Sequence, residues 1–197
     1  MEIARVRTVV LAGGRSRRMG FDKLTADFAG EPLARRVARA LAELQPLFVA
    51  TPQVAEVIAD IPGVVVIVTE PTAGPSRTLQ LAHEAVAPEA HLAVLPCDVP
   101  FVGAARVRTF VARVTDGADV AWPVVRDTPG HPVLWSPKAR ARIAALGDDD
   151  PPSRVRADAS LQTAPVLETD DAYVTDVDTR DAWAAAEARA RSSRLTS

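Results

Sequence analysis

Short apolar runs alternate, along the first half of the chain, with longer segments whose apolar positions recur every three or four residues. The runs predict β-strands, and the β-branched run at residues 64–68 is typical of a central strand. The longer segments predict helices, with Leu33, Val37, Leu41 and Leu44 sharing one helical face. The predicted strands are residues 9–12, 47–50, 64–68 and 92–95, and the predicted helices are 33–46, 54–60 and 76–86. This alternation predicts βαβ units, and hence an α/β, Rossmann-like, mostly parallel sheet with helices on both faces.

The second half of the chain is less regular. After a helix at 103–114, strands are expected at 119–125 and around 130–135, followed by a helix at 137–146 and a short helix from Ser153. Residues 173–178 are predicted as a strand that ends in acidic residues, with a helix from Thr179 to about Arg191. We expect a single domain over residues 1–191 and a frayed tail at 192–197.

Composition narrows the class of protein. A net charge of −2 and a pI near 5.9 argue against a nucleic-acid partner, since such proteins usually carry a basic excess. The single cysteine, Cys97, excludes a disulfide within the chain and fits a reducing compartment. No apolar run approaches the ~18 residues that span a bilayer, and no signal-peptide pattern opens the chain. These features predict a cytoplasmic protein with no membrane association.

A glycine- and arginine-rich loop follows the first predicted strand. Gly13 and Gly14 let backbone N–H groups approach a ligand, while Arg15, Arg18 and Lys23, together with Arg17, supply charge that suits a polyphosphate. The loop has neither the third glycine of G-x-G-x-x-G nor the Gly-Lys-Ser/Thr of a Walker loop.

The block from Leu11 to Lys23 resembles the signature L-A-G-G-x-S-x-R-M-G-x-D-K of the molybdenum cofactor nucleotidyltransferases, most closely the guanylyltransferase group. The resemblance implies a nucleotide-diphospho-sugar transferase-like fold and a nucleotide triphosphate substrate. It implies that Lys23 contacts the α-phosphate, that Arg15 and Arg18 contact the β- and γ-phosphates, and that the base lies against the strand end. The nucleotide-binding residues that it implies are Leu11, Ala12, Gly13, Gly14, Arg15, Ser16, Arg18, Lys23, Glu70 and Asp98.

Two acidic positions complete the predicted site. Asp98, at the end of the fourth strand, could cap the helix that begins near Gly103, or it could hold a divalent cation against phosphate oxygens. The segment from Cys97 to Pro100 matches the C-D-x-P segment of the family, in which the aspartate binds magnesium, and this favours the metal. The segment from Asp176 to Asp181 is similar to the family's D-I-D-T-P-E-D, with Arg180 in place of proline, and implies Asp178 as a second metal residue.

The resemblance implies that the protein transfers GMP from GTP to a molybdopterin-type acceptor, with Mg²⁺ as cofactor and Lys23, Arg18 and Asp98 as catalytic residues. A molybdoenzyme or its chaperone is a possible further partner. The Gly13-Gly14 pair favours GTP, whereas Gly74-Pro75-Ser76-Arg77-Thr78-Leu79 departs from the guanylyltransferase pattern and favours the CTP-using branch. A sugar-phosphate acceptor and a non-catalytic nucleotide-binding protein remain open. His131 is either a contact of the acceptor or a structural residue.

Overall fold

An eight-stranded mixed sheet runs through the centre of the protein. The computed structural model describes residues 5–13, 19–70, 75–147 and 150–195. The strands are β1 (Val6–Ala12), β2 (Leu47–Ala50), β3 (Val65–Val68), β4 (His91–Pro96), β5 (Val120–Val125), β6 (Thr128–Pro129), β7 (Val133–Trp135) and β8 (Thr163–Leu167).

The sheet order confirms a mostly parallel α/β fold. The order is β3-β2-β1-β4-β7-β5-β6, and β8 pairs with the other edge of β5. The first four strands are mutually parallel, as is the β5–β8 pair. Strand β7 runs antiparallel to both β4 and β5, so one reversed strand joins the two parallel groups.

Helices cover both faces of the sheet. They are α1 (Leu33–Leu41), α2 (Pro52–Ile58), α3 (Pro75–Ala85), α4 (Ala104–Arg113), α5 (Pro137–Ile143) and α6 (Arg180–Leu195). Helices α1, α2, α4 and α6 bury their apolar residues in one core, and α3 and α5 bury theirs in a second core. Val9 faces the second core while its neighbour Val10 faces the first, so β1 is buried on both sides, as a central parallel strand requires.

Several element predictions need correction. Strand β3 is an edge strand, not a central one, and Val65 and Val68 are about half exposed (48% and 58%). The predicted strand at 173–178 is wrong, because the chain there forms a 3₁₀ turn (Asp171–Tyr173) followed by a loop. Strand β8 was not predicted.

The C-terminal helix is longer than expected. Helix α6 continues to Leu195, beyond the predicted end near Arg191. Its first turn is capped where the sequence predicted, because the backbone N–H of Ala182 donates to Thr179 Oγ1 at 3.2 Å. Among the described helices, none is long and apolar enough to cross a membrane.

Candidate active site

The carboxyl ends of the parallel strands bring the predicted site residues to one edge of the sheet. Strands β1 and β4 are neighbours, and the backbone N–H of Cys97 donates to the carbonyl of Leu11 at 3.0 Å, just beyond the end of β4. Asp98 therefore leaves the sheet directly beside the segment that follows β1. Ligands of open α/β sheets bind at this kind of edge.

Lys23 joins the two predicted acidic residues. Its Nζ lies 2.6 Å from Asp98 Oδ2 and 2.6 Å from Asp178 Oδ1. The lysine side chain is almost buried, with 11% exposed, whereas the carboxylate of Asp178 is 46% exposed. Residues that are 155 positions apart in the sequence thus form one charged cluster.

Backbone hydrogen bonds fix the geometry of this cluster. The N–H of Val177 donates to the carbonyl of Asp98 at 3.1 Å, and Lys23 Nζ donates to the carbonyl of Val177 at 3.4 Å. On the other side, Asp22 closes a turn around Lys23, because its Oδ1 accepts from Leu24 N and its carbonyl accepts from Ala26 N. The Val177 carbonyl is a contact that side-chain patterns in the sequence could not reveal.

Electrostatics keep Lys23 charged. Burial alone would lower the pKa of Lys23, but Asp98 and Asp178 more than offset this, so the pKa is raised above its ordinary value. The pKa of Asp176 is also raised, by desolvation and by the nearby charges of Asp178 and Asp98. The edge therefore carries three neighbouring carboxylates and one lysine.

The donor set fits a divalent cation. Asp98 and Asp178 each place an oxygen within 2.6 Å of the same nitrogen, so the two carboxylates converge on one small volume. The second oxygen of Asp98, Oδ1, is buried and accepts no hydrogen bond from any described residue. Carboxylate oxygens are the ligands that Mg²⁺ prefers. Asp98 does not cap a helix, because α4 begins after Gly103 without a side-chain cap.

The described residues do not supply a complete metal cage. In the part of the chain that the structure describes, no group of three or more His, Cys, Asp or Glu residues is arranged to hold a metal ion. Any cation at Asp98 and Asp178 would draw its remaining ligands from water or substrate, which is usual for Mg²⁺ at phosphate-transfer sites.

Gly13 is needed for helix packing. A Cβ at this position would lie 2.9 Å from Thr78 Oγ1 on α3, which is closer than real contacts allow. The carbonyls of Leu11 and Ala12 already accept hydrogen bonds from Cys97 N and Thr51 N. The sequence did not single out Thr78 as a partner of Gly13, because nothing in the spacing relates α3 to the end of β1.

Other predicted residues fall into three groups. Glu70 is exposed just after the carboxyl end of β3, at the same edge of the sheet. Cys97 is buried, and burial raises the pKa of its thiol, which fits a structural residue and not a nucleophile. Gly14, Arg15, Ser16 and Arg18 lie outside the described residues, so their predicted phosphate contacts stay predictions.

His131 lies near the acidic cluster. Burial lowers its pKa, the charge of Asp98 opposes this, and the charge of Arg156 lowers the pKa further. Its Nδ1 is buried and has no hydrogen-bond partner among the described residues. The imidazole is therefore neutral at pH 7 and close enough to Asp98 to sense its charge.

The N-terminal half of α6 holds the turn that carries Lys23. Trp183 packs edge-on against Phe21 and Phe28, with ring centroids 5.6 and 5.0 Å apart. Arg180, which stands where the family pattern has proline, donates from Nη2 to the carbonyl of Met19 at 3.4 Å. The substitution of arginine for proline thus adds a contact to the segment that precedes Lys23.

Comparisons with known proteins are consistent with this geometry. Residues 8–164 match the model of a family described as the MobA-like NTP transferase domain. A protein of Haloferax mediterranei described as a probable molybdenum cofactor guanylyltransferase is 34% identical over 134 residues, which are 61% of this chain and 60% of that protein. The chain thus spans less than two thirds of the length of this curated relative.

Solved structures share the fold over almost the whole chain. The homologue of Mycobacterium tuberculosis Rv0371c from Mycobacterium sp. strain JC1 is 25% identical, with a TM-score of 0.80, and the match covers 94% of this chain and 96% of that one. The structure of Rv0371c from M. tuberculosis H37Rv in complex with manganese is 21% identical, with a TM-score of 0.74, and the match covers 91% and 96% of the two chains.

Proposed function

The chain belongs to the MobA-like NTP transferase family, and on that premise we propose that it is a metal-dependent nucleotidyltransferase that joins a nucleoside monophosphate to a phosphorylated acceptor. The observation that carries this proposal is the cluster of Lys23, Asp98 and Asp178 at the carboxyl edge of the sheet. It combines a buried cation with two converging carboxylates, which are the groups that phosphoryl chemistry needs. We retain residues 1–191 as the nucleotidyltransferase domain.

The proposed reaction is an in-line displacement at the α-phosphate of a nucleoside triphosphate. An oxygen of the acceptor phosphate forms a bond to the α-phosphorus, the bond to the β-phosphate oxygen breaks, and pyrophosphate leaves. Both reactants are negatively charged, so catalysis depends on neutralising charge and aligning the reacting atoms. The attacking phosphate is already ionised, and no general base is required.

Each member of the cluster has a defined part in this reaction. Lys23, whose raised pKa keeps it protonated, would neutralise oxygens of the α-phosphate. Asp98 and Asp178 would hold Mg²⁺, which supplies positive charge to the phosphate oxygens when bound. The Val177 carbonyl and the turn at Asp22 keep Lys23 oriented before substrate arrives. We assign Arg15 and Arg18 to the β- and γ-phosphates on the family pattern alone.

GTP is the favoured nucleotide and a molybdopterin-type molecule the favoured acceptor. The Gly13-Gly14 pair and the description of the Haloferax protein as a probable guanylyltransferase support GTP. The structure of Rv0371c with manganese supports a divalent cation in this fold. Residues 74–79 differ from the guanylyltransferase pattern, and this difference supports CTP instead. The choice between GTP and CTP is therefore the first property to measure.

Calorimetric titration with GTP and then CTP, each with Mg²⁺, tests the nucleotide. Preferential binding of GTP would support the guanylyltransferase assignment and justify an assay with molybdopterin. Preferential binding of CTP would assign the chain to the cytidylyltransferase branch. If neither nucleotide bound, the proposed activity would be wrong.

Two substitutions test the mechanism. Lys23→Ala should lower turnover by orders of magnitude without loss of the fold, because a transition-state contact to the α-phosphate is removed. A non-catalytic nucleotide-binding protein would keep its partner after the same change. Asp98→Asn should sharply raise the Mg²⁺ concentration needed for half-maximal activity, whereas Asp60→Asn, at an exposed carboxylate paired with Arg35, should not. An unchanged metal titration for Asp98→Asn would exclude Asp98 as a metal residue.

A further inference from the structure

The antiparallel half of the sheet carries His131, which lies within range of the charge of Asp98. Strand β5 pairs with β6 so that Val124 lies opposite Pro129, and Gly130 N donates to Pro123 O at 2.8 Å. On the other side of Trp122, Ala121 lies opposite Leu134 of β7, so Trp122 faces the segment from His131 to Val133. Strand β4 pairs with β7 so that Val94 lies opposite Val133, and an extension of this register by two residues places His131 opposite Pro96, two residues before Asp98. Residues that are opposite each other on paired strands project from the same face of the sheet.

An arginine lies over this part of the sheet. Arg156, in the 3₁₀ segment Pro152–Ala157, places its Cζ 4.9 Å from the centroid of the Trp122 ring. This is within the range of a cation–π contact, and a flat guanidinium stacked on an indole is held in a defined orientation.

The charge of Arg156 is not neutralised within the described part of the chain. Its neighbours Arg154 and Arg142 form ion pairs with Asp150 and Asp158, respectively. Arg156 forms no ion pair with any carboxylate in residues 5–13, 19–70, 75–147 and 150–195. An arginine that is held on an aromatic ring and has no carboxylate partner is suited to bind an anionic ligand.

His131 adds an independent indication of a ligand. Its buried Nδ1 has no hydrogen-bond partner among the described residues, although buried polar atoms are normally paired. The charges of Asp98 and Arg156 both act on this imidazole, so both groups are close to it. The guanidinium thus contacts the indole, and its charge and that of Asp98 both reach the imidazole.

We propose that Arg156, held in place by Trp122, binds the phosphate of the acceptor substrate, with His131 as a second polar contact. The proposal rests on the proposed nucleotidyltransferase function. A cation is needed because the acceptor phosphate must approach a triphosphate and the carboxylates of Asp98, Asp176 and Asp178, all of which repel it. Lys23 is already balanced by two of these carboxylates, so the acceptor needs a separate cation. The ligand class is a phosphomonoester, and Trp122 is a positioning residue.

Binding of phosphate esters tests this site directly. Neopterin phosphate and glucose 1-phosphate serve as probes, each beside its unphosphorylated form, and affinity is measured by calorimetry on the full chain. One of the two phosphomonoesters should bind wild type. Arg156→Gln should lower the affinity for that phosphomonoester by about tenfold or more, since a charge-assisted hydrogen bond is lost. Its unphosphorylated form should be unaffected. Arg154→Gln is the matched control and should leave both affinities unchanged.

A variant series separates positioning from folding. Trp122→Leu should weaken phosphomonoester binding and raise the KM for the acceptor with little change in kcat, while Trp122→Phe, which keeps an aromatic face, should restore most of the affinity. GTP affinity should stay within about twofold of wild type in every variant of this series.

Three outcomes would overturn the proposal. In the first, neither phosphomonoester binds to wild type. In the second, wild type and Arg156→Gln bind the phosphomonoester with equal affinity. In the third, Arg156→Gln loses affinity for GTP in parallel, which would assign Arg156 to the nucleotide. Failure of the proposed function would look different. In that case neither GTP nor CTP would bind, while the phosphomonoester would still depend on Arg156.

Discussion

Lys23 Nζ lies 2.6 Å from Asp98 Oδ2, so the lysine that we assign to substrate phosphate is already paired with the carboxylate that we assign to the metal. Asp178 is held by the same nitrogen. The two carboxylates are therefore kept together by an internal cation. Binding of a metal and a nucleotide would redistribute these contacts, since the lysine would gain phosphate oxygens as partners.

This pairing predicts competition between Lys23 and the metal. Lys23→Ala should bind Mn²⁺ more tightly than wild type in the absence of nucleotide, by about tenfold, because a positive charge is removed from the two carboxylates. Electron paramagnetic resonance of free Mn²⁺ measures this affinity. Lys138→Ala, which removes an amine paired with Asp119, is the control and should have no effect. Weaker Mn²⁺ binding by Lys23→Ala would mean that the carboxylates do not form the metal site.

Close packing at Gly13 predicts a steric effect with a specific rescue. Gly13→Ala should lower the free energy of unfolding by roughly 1–3 kcal/mol, because the new Cβ would press on Thr78 Oγ1. Adding Thr78→Ala should recover part of the loss, which a double-mutant cycle in urea would quantify. Gly147→Ala, whose nearest atom would be Asp150 Oδ2 at an ordinary 3.4 Å, is the matched control. Strictly additive losses would show that Thr78 is not the obstacle.

Asp119 links three elements and predicts an acid-sensitive stability. Its carboxylate accepts from Ser136 Oγ at 3.0 Å, from Lys138 Nζ at 2.9 Å and from the backbone N–H of Gln162 at 2.9 Å. Burial raises the pKa of Asp119, but these donors outweigh it, and the net pKa lies below its ordinary value. The stabilisation is therefore complete above the unfolded pKa near 4 and is lost as the pH falls through the lower folded pKa.

The corresponding variant is Asp119→Asn. This substitution should lower the free energy of unfolding by about 2 kcal/mol at pH 7, since charge-assisted hydrogen bonds are weakened. It should also make the free energy of unfolding less dependent on pH below about 4. Urea unfolding between pH 2.5 and 7 measures both effects. Glu56→Gln, at an exposed position on α2, should keep the wild-type profile. If Asp119→Asn lost stability in acid as steeply as wild type, groups other than Asp119 would be responsible for the acid sensitivity.

Arg140 supports the end of α3 from within the protein. It is 1% exposed and donates to the carbonyls of His83, Val86, Ala87 and Ala90 at 2.6–2.9 Å. Arg140→Met should destabilise the protein by about 3 kcal/mol or more, because several buried acceptors would lose their donors. Arg142→Gln, on the half-exposed face of the same helix, should change stability by less than about 1 kcal/mol. Similar losses for the two variants would contradict this structural role.

The first half of the fold was predictable because its strands and helices carry separate periodicities. The strand at residues 47–50 matches β2, and the predicted helices between the strands are present with ends shifted by a few residues. The edge position of β3 was not predictable, since β-branched residues favour a strand without saying how many neighbours it has. Strand β8 was missed because Pro165 interrupts a short polar–apolar pattern, and edge strands tolerate proline.

The candidate site was predictable where it depends on local sequence. The pairing of Lys23 with Asp98 and Asp178 brings together three residues that the motifs had identified separately. The role of Asp119 and the stacking of Arg156 on Trp122 could not be predicted, because they depend on the register between strands and on where the 3₁₀ segment returns to the sheet.

The reversed direction of β7 has a consequence for how specificity could evolve. The parallel strands β1 and β4 end at the edge of the sheet that carries Lys23, Asp98 and Asp178, whereas the reversed strand β7 begins at that edge. The connection from β6 to β7 can therefore change in sequence or length without altering β1, β4 or the Lys23 turn. On the proposed assignment, the residues that recognise the two substrates thus lie on separately encoded segments. Relatives with this topology could acquire new acceptors while their nucleotide half stays constant.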